Sequence, residues 1–363
     1  MNSTSNIHNL LQEIAFKGAI LEKPNNGDAR RELLAAARSL CYKLETPIES
    51  LLRICWAEAQ THPAIRTGIE MNLFEKLVED DGAAKSNSQL AAMTGADPVL
   101  LNWTLISNDA AGPPLRQLHK YLASTGFKNP TNPTDGPFQY GHNTPLHTFE
   151  WMKEHPLIYQ QFGNFMAGYT QGRPSWLDFF PAEDRIVKGL SEKEEAVLLV
   201  DVGGGMGQDL EEFRRRMPSV KAELVLQDQE EFVERAKAGL AEKGIRAMAY
   251  DFFTPQPIKG ARAYYLHSVL HNWPDSKCKD ILSNLKPALA KGYSKLLINE
   301  VVIPNKGAPA VSTGLDLLLM AVSSSGHRTE KNWQELLDWA GFRLVKVWAF
   351  EAGMEGLIEA EVA

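Results

Sequence analysis

Cysteine is scarce in this chain of 363 residues, which contains three: Cys41, Cys55 and Cys278. Their spacing matches no metal-binding pattern and offers no even disulfide framework, so we expect a reduced, cytoplasmic compartment and no metal site. Long apolar runs are also lacking, since no stretch approaches the roughly 20 residues needed to cross a bilayer. The N-terminus lacks the basic start and long apolar core of a signal peptide, and we expect no association with membranes.

An excess of positive charge is absent as well. Lysine and arginine total 38 against 45 aspartate and glutamate residues, which gives a formal net charge of −7. Proteins that bind phosphate backbones normally need a basic face, so nucleic acid is a poor candidate partner, although an acidic total can hide a local basic patch. The 44% of hydrophobic residues is typical of a globular protein, and the length suggests two domains.

Helical patterns dominate the first 60 residues. The segment RRELLAAARSLCYKLE repeats apolar positions at helical spacing, and Asp28 is placed to cap the start of that helix. Residues 62–101 resemble three short helices separated by Gly, Asp and Asn, an arrangement of the helix-turn-helix kind. Such an arrangement can bind DNA, but a packing role is at least as common, and the acidic charge favours packing.

The pattern changes further along the chain. Residues 128–141 form a loop dense in Pro, Asn and Gly, and helical patterns resume at Thr148–Glu154 and Pro156–Tyr169. Beyond residue 190, short and uniformly apolar runs alternate with amphipathic helical stretches. This alternation predicts buried strands in a mostly parallel, doubly wound α/β sheet. We place the boundary near residue 185, between a helical first part and an α/β second part.

The most informative motif is a glycine loop, VDVGGGMGQ at residues 200–208, between a predicted strand and a predicted helix. Ligands of open α/β sheets sit beyond the carboxyl ends of the strands, and glycines let the backbone approach them closely. Asp201 can accept hydrogen bonds from a cationic amine and would repel a pyrophosphate, which favours S-adenosylmethionine over a dinucleotide. Asp228, which ends the next strand, can bind both ribose hydroxyls, although an acid at this spacing also suits NAD. The remaining alternative is that the glycine loop binds no ligand and is a turn that packs the helix against the sheet.

Polar residues follow three further predicted strands. Asp251 and Phe252, in MAYDFF, could bind an adenine amino group and cover the base, although such a pair can also be an ordinary turn. His271, in YYLHSVLHNWPD, could remove a phenolic proton at neutral pH, because the ordinary pKa of imidazole is near 6.5. Glu300, in LLINEVVIP, could bond one imidazole nitrogen and leave the other as the base. A structural histidine is the competing interpretation.

In order and spacing, LVDVGGGMGQ, Asp228, YDFF, YYLHSVLHNWPD and LLINEVVIP resemble the plant caffeate-type O-methyltransferase family. The segments NPTDGPFQYGHNT and MAGYTQGRPSW resemble fungal members that act in secondary metabolism. The resemblance runs from about Ala64 to the C-terminus, and the combined motifs are highly specific. It implies a helical, winged-helix-like dimerisation domain (residues 1–127), a helical linker that contributes to the acceptor pocket (128–185) and a Rossmann-like methyltransferase domain (186–363).

The resemblance also implies roles for individual residues. In addition to Asp201, the contacts to S-adenosylmethionine would come from Gly203, Gly205, Asp228, Asp251, Phe252 and His267, the last standing where many plant members have a lysine. The acceptor pocket would be lined by Phe162, Met166, Tyr169, Leu319 and Met320. His271 would be the general base, and Glu300 would orient it.

The chain departs from the family pattern in two places. Plant members have a second glutamate just before the Arg-Thr pair that precedes the last helix, whereas this chain has His327 in SSSGHRTEKNW. A histidine there can still bond near the catalytic base, but it supplies no fixed negative charge. After GADPVLL, the expected β-wing and a further helix are missing, and the resemblance resumes only from about Leu105.

These observations favour an S-adenosylmethionine-dependent O-methyltransferase, active as a homodimer, that methylates a phenolic hydroxyl of an aromatic or polyketide-like small molecule. His327 and the shortened N-terminal domain keep a second function open. In that function, the protein binds S-adenosylmethionine without transferring its methyl group and catalyses a pericyclic or dehydration step. A regulatory protein that kept the helix-turn-helix and lost catalysis is disfavoured, because His271 and Glu300 are both present.

Overall fold

The computed structural model describes residues 2–21, 27–45, 109–169, 174–191, 196–349 and 354–363. The chain divides into two compact units, Met1–Gly95 and Ala96–Ala363. The second unit contains both the predicted sheet and the helical segment 128–185 that precedes it. The predicted helix-turn-helix and the position of the missing wing lie outside the described residues.

The described part of the first unit is a pair of helices, α1 (Asn2–Leu21) and α2 (Gly27–Leu44), that pack against each other. The predicted helix over RRELLAAARSLCYKLE is confirmed as α2, with Asp28 in its first turn, where a carboxylate interacts favourably with the helix dipole. An ion pair between Lys17 and Glu32, with 3.1 Å between Nζ and Oε2, joins the two helices.

In the described part of the second unit, four α-helices precede the sheet: α3 (Gly112–Ser124), α4 (Pro137–His142), α5 (Thr148–Lys153) and α6 (Pro156–Tyr169). Helices α5 and α6 confirm the helical patterns seen in the sequence. The loop predicted over residues 128–141 is wrong at its end, where Pro137 occupies the first position of α4. His147 is the N-cap of α5 and forms a capping box with Glu150. Its Nδ1 accepts a hydrogen bond from the Phe149 N–H, and its own N–H donates to the Glu150 carboxylate. This cap holds His147 at a defined position beside the sheet.

The sheet has seven strands in the order β3-β2-β1-β4-β5-β7-β6. They are β1 (Val197–Val202), β2 (Glu223–Asp228), β3 (Ile245–Ala249), β4 (Ala263–His267), β5 (Lys295–Val301), β6 (Phe342–Ala349) and β7 (Glu355–Val362). The first five are parallel, as predicted, whereas β7 runs antiparallel to both β5 and β6.

Helices cover both faces of the sheet, which explains the uniformly apolar strands. They are α7 (Gln208–Arg216), α8 (Glu230–Glu242), α9 (Asp275–Leu285), α10 (Ala310–Ser323) and α11 (Glu330–Ala340). On one face, Val200 and Leu266 pack with Trp333 of α11; on the other, Leu199 and Leu226 belong to a separate apolar cluster. No helix in the described ranges combines the length and apolar character that a membrane span requires.

The strand order reverses between β1 and β4, which is the switch point of the sheet. At such a point the connections on either side leave in opposite directions, so a crevice opens beyond the carboxyl ends of the strands. The glycine loop follows β1, Asp228 ends β2, and the segment with His271 follows β4. The topology therefore brings the predicted site residues to one edge of the sheet.

A buried ionic cluster ties β7 to the segment before the sheet. The carboxylate of Glu359 is fully buried; it accepts a hydrogen bond from Arg185 at 2.6 Å, and Lys295 Nζ lies 3.1 Å away. Trp348 Nε1 donates to the second carboxylate oxygen. Burial alone would raise the pKa of Glu359, but the two cations outweigh burial and hold this pKa below its ordinary value.

We predict that Glu359→Gln lowers the free energy of unfolding by about 3 kcal/mol at pH 7, because Arg185 and Lys295 lose their buried counter-charge. A depressed pKa contributes stability above the unfolded-state pKa, and this stability is lost as the pH falls through the folded-state pKa. The difference in free energy of unfolding between the variant and the wild type should therefore become smaller below about pH 4. Urea denaturation at pH 7 and below about pH 4 measures this difference. Glu361→Gln, a more exposed position on the same strand, should cost less than about 1 kcal/mol, and equal losses would contradict the burial argument.

Candidate active site

The loop after β1 is built on glycines for steric reasons. Gly203 and Gly205 have φ angles of +76° and +60°, a region that residues with a side chain rarely adopt. A Cβ on Gly203 would lie 2.8 Å from the Val269 side chain, and a Cβ on Gly204 would lie 2.3 Å from Asp201 Oδ2. The loop therefore presents bare backbone to the crevice, which suits close approach of a ligand.

Asp201 lies beneath this loop rather than in the crevice. Its side chain is fully buried, and neither carboxylate oxygen has a hydrogen-bond partner in the described part of the chain. Burial and then the neighbouring Asp209 raise the pKa of Asp201 well above its ordinary value. Asp201 is not among the residues that line the two cavities described below, so its contact with the cofactor amine stays a prediction.

Asp228 is positioned by the glycine loop itself. Its Oδ2 accepts a hydrogen bond from the Gly205 N–H at 2.8 Å, and its Oδ1 accepts one from the Gln229 N–H at 2.6 Å. Burial raises the pKa of Asp228 to about 6, although both backbone bonds act in the opposite direction. A carboxylate held in this way can accept hydrogen bonds from ribose hydroxyls.

Two cavities adjoin at the carboxyl edge of the sheet. The Asp251 cavity, about 730 Å³, is lined by Asp228, Asp251, Phe252, Phe253, Trp273 and His147, among others. The His271 cavity, about 290 Å³, is lined by Gly203, Gly205, Asp228, His267, His271 and a set of apolar side chains. They share a wall that includes Gly203, Asp228, Phe252 and Trp273. One elongated ligand could therefore occupy both.

Aromatic rings form the wall of the Asp251 cavity. Phe253 and Trp273 meet edge to face with 4.8 Å between ring centroids, and the Phe252 and Trp273 centroids are 6.1 Å apart. His147 stacks on Trp273 at 4.7 Å with an interplanar angle of 4°. The sequence motifs did not point to His147. Glu150, three residues later, is the residue that could have marked His147 as the start of a helix. The wall is suited to a planar base.

His271 and Glu300 are brought together as predicted. His271 lies in a 3₁₀ turn (Leu270–Asn272) after β4, and Glu300 lies near the end of β5. Glu300 Oε2 is 2.8 Å from His271 Nδ1, and Oε1 accepts a hydrogen bond from the His271 backbone N–H at 3.1 Å. Burial would raise the pKa of Glu300, but the contacts with His271 outweigh burial and lower it. Nε2 of His271 is left as the nitrogen that can act as a base.

His327 lies beside this pair as a neutral side chain. Its ring centroid is 5.6 Å from that of His271, at an interplanar angle of 70°. Burial, followed by the nearby His271, lowers the pKa of His327 to about 4. Glu300 and His327 do not appear among the residues lining the cavity, whereas His271 does. His327 thus brings no charge to the base at neutral pH.

His271, Glu300 and His327 are also residue types that ligate metals. Their ligand atoms all lie within 4.8 Å of one another. Because Nδ1 of His271 is engaged with Glu300, a metal at this place would have to displace that contact. The geometry therefore favours proton transfer by His271 over ligation.

Arg328 fixes the turn that carries His271. Its buried guanidinium donates hydrogen bonds to the Leu270 carbonyl at 3.2 Å and to the Trp273 carbonyl at 2.9 Å. It also donates to Asp275 Oδ1 at 2.8 Å. No local sequence pattern marks Arg328, because these partners are more than 50 residues away along the chain. Arg328 holds both ends of the turn between the two cavities.

His267 is held between two carboxylates. Its Nδ1 lies 2.6 Å from Asp209 Oδ2, and its Nε2 lies 3.8 Å from Glu355 Oε1. Burial alone would lower the pKa of His267, but Asp209 and then Glu355 outweigh burial and raise it well above its ordinary value. A positively charged imidazolium therefore lines the His271 cavity.

The wall of the His271 cavity away from the sheet is largely apolar. Phe162, Met166 and Leu319, predicted for the acceptor pocket, all line it. Met320 does not appear on this wall, and the side chain of Tyr169 lies outside the described residues. Further lining side chains, which the sequence analysis did not assign, are Phe149, Met152, Tyr159, Phe232, Leu315, Leu318 and Val322.

The residues present fit S-adenosylmethionine. The bare glycine backbone admits close approach of a methionine moiety, and Asp228 offers acceptors for a ribose. Asp251 and the rings around Trp273 offer a polar edge and planar surfaces for adenine.

Comparisons with known proteins agree with this fit. Residues 184–343 match an O-methyltransferase domain family. The chain is 33% identical to the O-methyltransferase mpaG of Penicillium brevicompactum, with 98% of each chain covered. It is 34% identical to the methyltransferase cfoC of Aspergillus candidus, covering 93% of this chain and 92% of the relative.

Solved structures give the same fold. A structure titled as LepI in complex with SAM is 26% identical, with a TM-score of 0.87 over 99% of this chain and 100% of that chain. Another similar structure is titled as a pericyclic reaction enzyme, with a TM-score of 0.86. OxaC in complex with sinefungin and meleagrin is 25% identical, with a TM-score of 0.82 over 98% of this chain and 99% of that chain.

We predict that affinity for S-adenosylhomocysteine falls about tenfold between pH 7 and pH 5. Asp228, whose pKa is about 6, becomes protonated over this range and loses acceptor capacity for the ribose hydroxyls. Isothermal titration calorimetry at both pH values measures the change, with circular dichroism to verify folding at pH 5. The Asp228→Asn variant should bind weakly at both pH values. Equal dissociation constants for the wild type at pH 5 and pH 7 would refute this role.

Proposed function

This chain belongs to the S-adenosylmethionine-dependent O-methyltransferases of fungal secondary metabolism, and we propose that it methylates a phenolic hydroxyl of an aromatic or polyketide-like small molecule. The observation that carries the proposal is the pair of contacts between Glu300 and His271 beside the apolar cavity. This pair provides a base with a defined free nitrogen at the place where an acceptor can bind.

In this mechanism, Nε2 of His271 removes the proton from the acceptor hydroxyl. Glu300 orients the imidazole through Nδ1 and compensates the positive charge that forms on it. When bound, S-adenosylmethionine supplies the activated methyl group, which passes to the oxygen and leaves S-adenosylhomocysteine. The apolar walls exclude water and hold the hydroxyl in a productive orientation, and positioning of this kind contributes several kcal/mol to catalysis.

The lining of the His271 cavity supports this acceptor class. Phe149, Phe162 and Met166 offer aromatic and polarisable surface, and Leu315 and Leu319 face them from α10. Such a wall binds a planar, largely apolar molecule better than a sugar or a peptide, because few polar groups are available to replace lost water contacts. A phenol is also acidic enough for a histidine base to act on it near neutral pH.

We predict that His271→Gln lowers kcat for methyl transfer by about 10²- to 10⁴-fold, the usual contribution of a general base. Incubation with S-adenosylmethionine and a panel of phenolic polyketides, followed by mass spectrometry of S-adenosylhomocysteine and acceptor, measures the transfer. The dissociation constant for S-adenosylhomocysteine should stay within about twofold, because glutamine preserves the size and polarity of the side chain. Full activity of His271→Gln would exclude it as the base.

The role of Glu300 is tested separately. Glu300→Gln keeps the shape of the side chain but removes the charge that stabilises the imidazolium, so we predict a loss of kcat of about 10²-fold with little change in KM. A matched control is Glu361→Gln on β7, a carboxylate in the Arg343 ion pair. Its kcat should be unchanged, and a similar loss in both variants would point to a general effect on folding.

A second candidate function is a pericyclic or dehydration step with the cofactor bound but unreacted. It is supported by the similarity to a pericyclic enzyme and by the neutral His327 beside the base. A pericyclic step makes and breaks bonds without a base, so the paired His271 and Glu300 favour methyl transfer over it, whereas a dehydration would also use this base. In the same incubation, rearranged acceptor with intact S-adenosylmethionine would overturn methyl transfer in favour of this function.

The protein is also proposed to work as a homodimer through its N-terminal helices. Helices α1 and α2 expose apolar side chains, including Leu11, Phe16 and Leu34. Exposed apolar surface of this kind supports contact with a second chain. Sedimentation velocity measures the oligomeric state directly, and a monomer at micromolar concentration would exclude a stable dimer.

A further inference from the structure

Tyr159 has a buried hydroxyl group without a hydrogen-bond partner among the described residues. The side chain projects from α6 and lines the His271 cavity. Its hydroxyl oxygen is shielded from solvent and forms no hydrogen bond within the described part of the chain. Leaving such a group unpaired costs about 1–3 kcal/mol, and native proteins usually avoid the cost. A ligand in the cavity is a source of the missing partner.

The ring of Tyr159 packs against α8, the helix that follows Asp228. Its centroid is 5.9 Å from that of Phe232 on α8, the helix that follows Asp228. Gly163, one helical turn after Tyr159, brings α6 close to α8, because a Cβ there would lie 3.3 Å from the Arg235 guanidinium. Tyr159 and Asp228 both line the His271 cavity, and Tyr159 and Gly163 place α6 beside Phe232 and Arg235 of α8.

The hydroxyl of Tyr159 is a hydrogen-bond donor under physiological conditions. Burial, followed by the charges of Glu231 and Asp228, raises the pKa of Tyr159 to about 12, although Arg235 acts in the opposite direction. The phenol therefore keeps its proton at neutral pH.

A ribose hydroxyl bound to Asp228 needs a donor of this kind. Both carboxylate oxygens of Asp228 already accept backbone N–H groups, and an ionised carboxylate can only accept. A ribose hydroxyl that donates its hydrogen to Asp228 keeps lone pairs on its oxygen, which are buried with it. Satisfying them takes a protein donor or a water molecule.

We propose that Tyr159 is a cofactor-binding residue whose hydroxyl donates a hydrogen bond to the ribose oxygen that itself donates to Asp228. Helix α6 then serves the cofactor through Tyr159 and the acceptor through Phe162 and Met166. This inference rests on the part of the proposed function that has S-adenosylmethionine bound at Asp228, and it is independent of the phenolic acceptor.

The first test is Tyr159→Phe, which removes the hydroxyl and keeps the ring. We predict that the dissociation constant for S-adenosylhomocysteine, measured by isothermal titration calorimetry, rises about 5- to 20-fold, as expected for one buried hydrogen bond. Tyr140→Phe is the matched control, because Tyr140 is an exposed tyrosine of α4 that does not line the cavities. Its dissociation constant should not change. An unchanged constant for Tyr159→Phe would overturn the inference.

The second test identifies the partner atom. The 2′-deoxy and 3′-deoxy forms of S-adenosylhomocysteine are titrated into the wild type and into Tyr159→Phe. For one of the two analogues, we expect the loss of affinity seen in the wild type to shrink in the variant, because both changes remove the same hydrogen bond. Strictly additive losses for both analogues would show that Tyr159 does not contact the ribose. Unchanged binding with a raised KM for the acceptor would assign Tyr159 to the acceptor instead.

Failure of this inference can be told apart from failure of the proposed function. If the wild type methylates a phenolic acceptor while Tyr159→Phe binds S-adenosylhomocysteine normally, only the role of Tyr159 is refuted. If binding depends on Tyr159 and on one ribose hydroxyl but no acceptor is methylated, the cofactor contact stands and the methyl transfer does not.

Discussion

The double contact between Glu300 and His271 is the interaction on which the site depends. A carboxylate as deeply buried as Glu300 is costly unless it is paired, and here one residue supplies both partners, a ring nitrogen and a backbone N–H. The parallel pairing of β4 and β5 sets the distance between the two segments, since His267 lies opposite Asn299 in the register. Arg328 then holds the His271 turn from the other side.

A second constraint is the bare backbone of the glycine loop. The loop lies between Asp201 below and Val269 beside it, so side chains on Gly203 and Gly204 would collide with protein. The same loop donates an N–H to Asp228, which ties the ribose acid to the loop. Because Gly203, Asp228, Phe252 and Trp273 line both cavities, a cofactor that spans them would bring its reactive group towards His271.

The fold alone does not distinguish methyl transfer from other chemistry. Structures titled as a pericyclic enzyme and as OxaC share the architecture of this chain across nearly its whole length. What separates the candidate functions is local: the protonation of His327, the pairing of His271 and the polar groups that face the ligand. The unpaired hydroxyl of Tyr159 is another such local feature. Through it, α6 takes part in the proposed recognition of the cofactor.

The sequence by itself determined the five parallel strands and the polar residues at their carboxyl ends, whereas the strand order, the switch point and the antiparallel β6 and β7 came from the tertiary structure. Strands buried on both faces must be uniformly apolar, and the carboxyl ends of parallel strands meet at one edge, so Asp228, His271 and Glu300 could be grouped without a structure. Only the tertiary structure decided which side chains reach the cavity. Leu319 lines it together with Leu315, Leu318 and Val322, which share one face of α10 at spacings of three and four residues, whereas Met320 lies off that face. Arg328 and Tyr159 acquire their surroundings from segments distant in sequence, which no local pattern records.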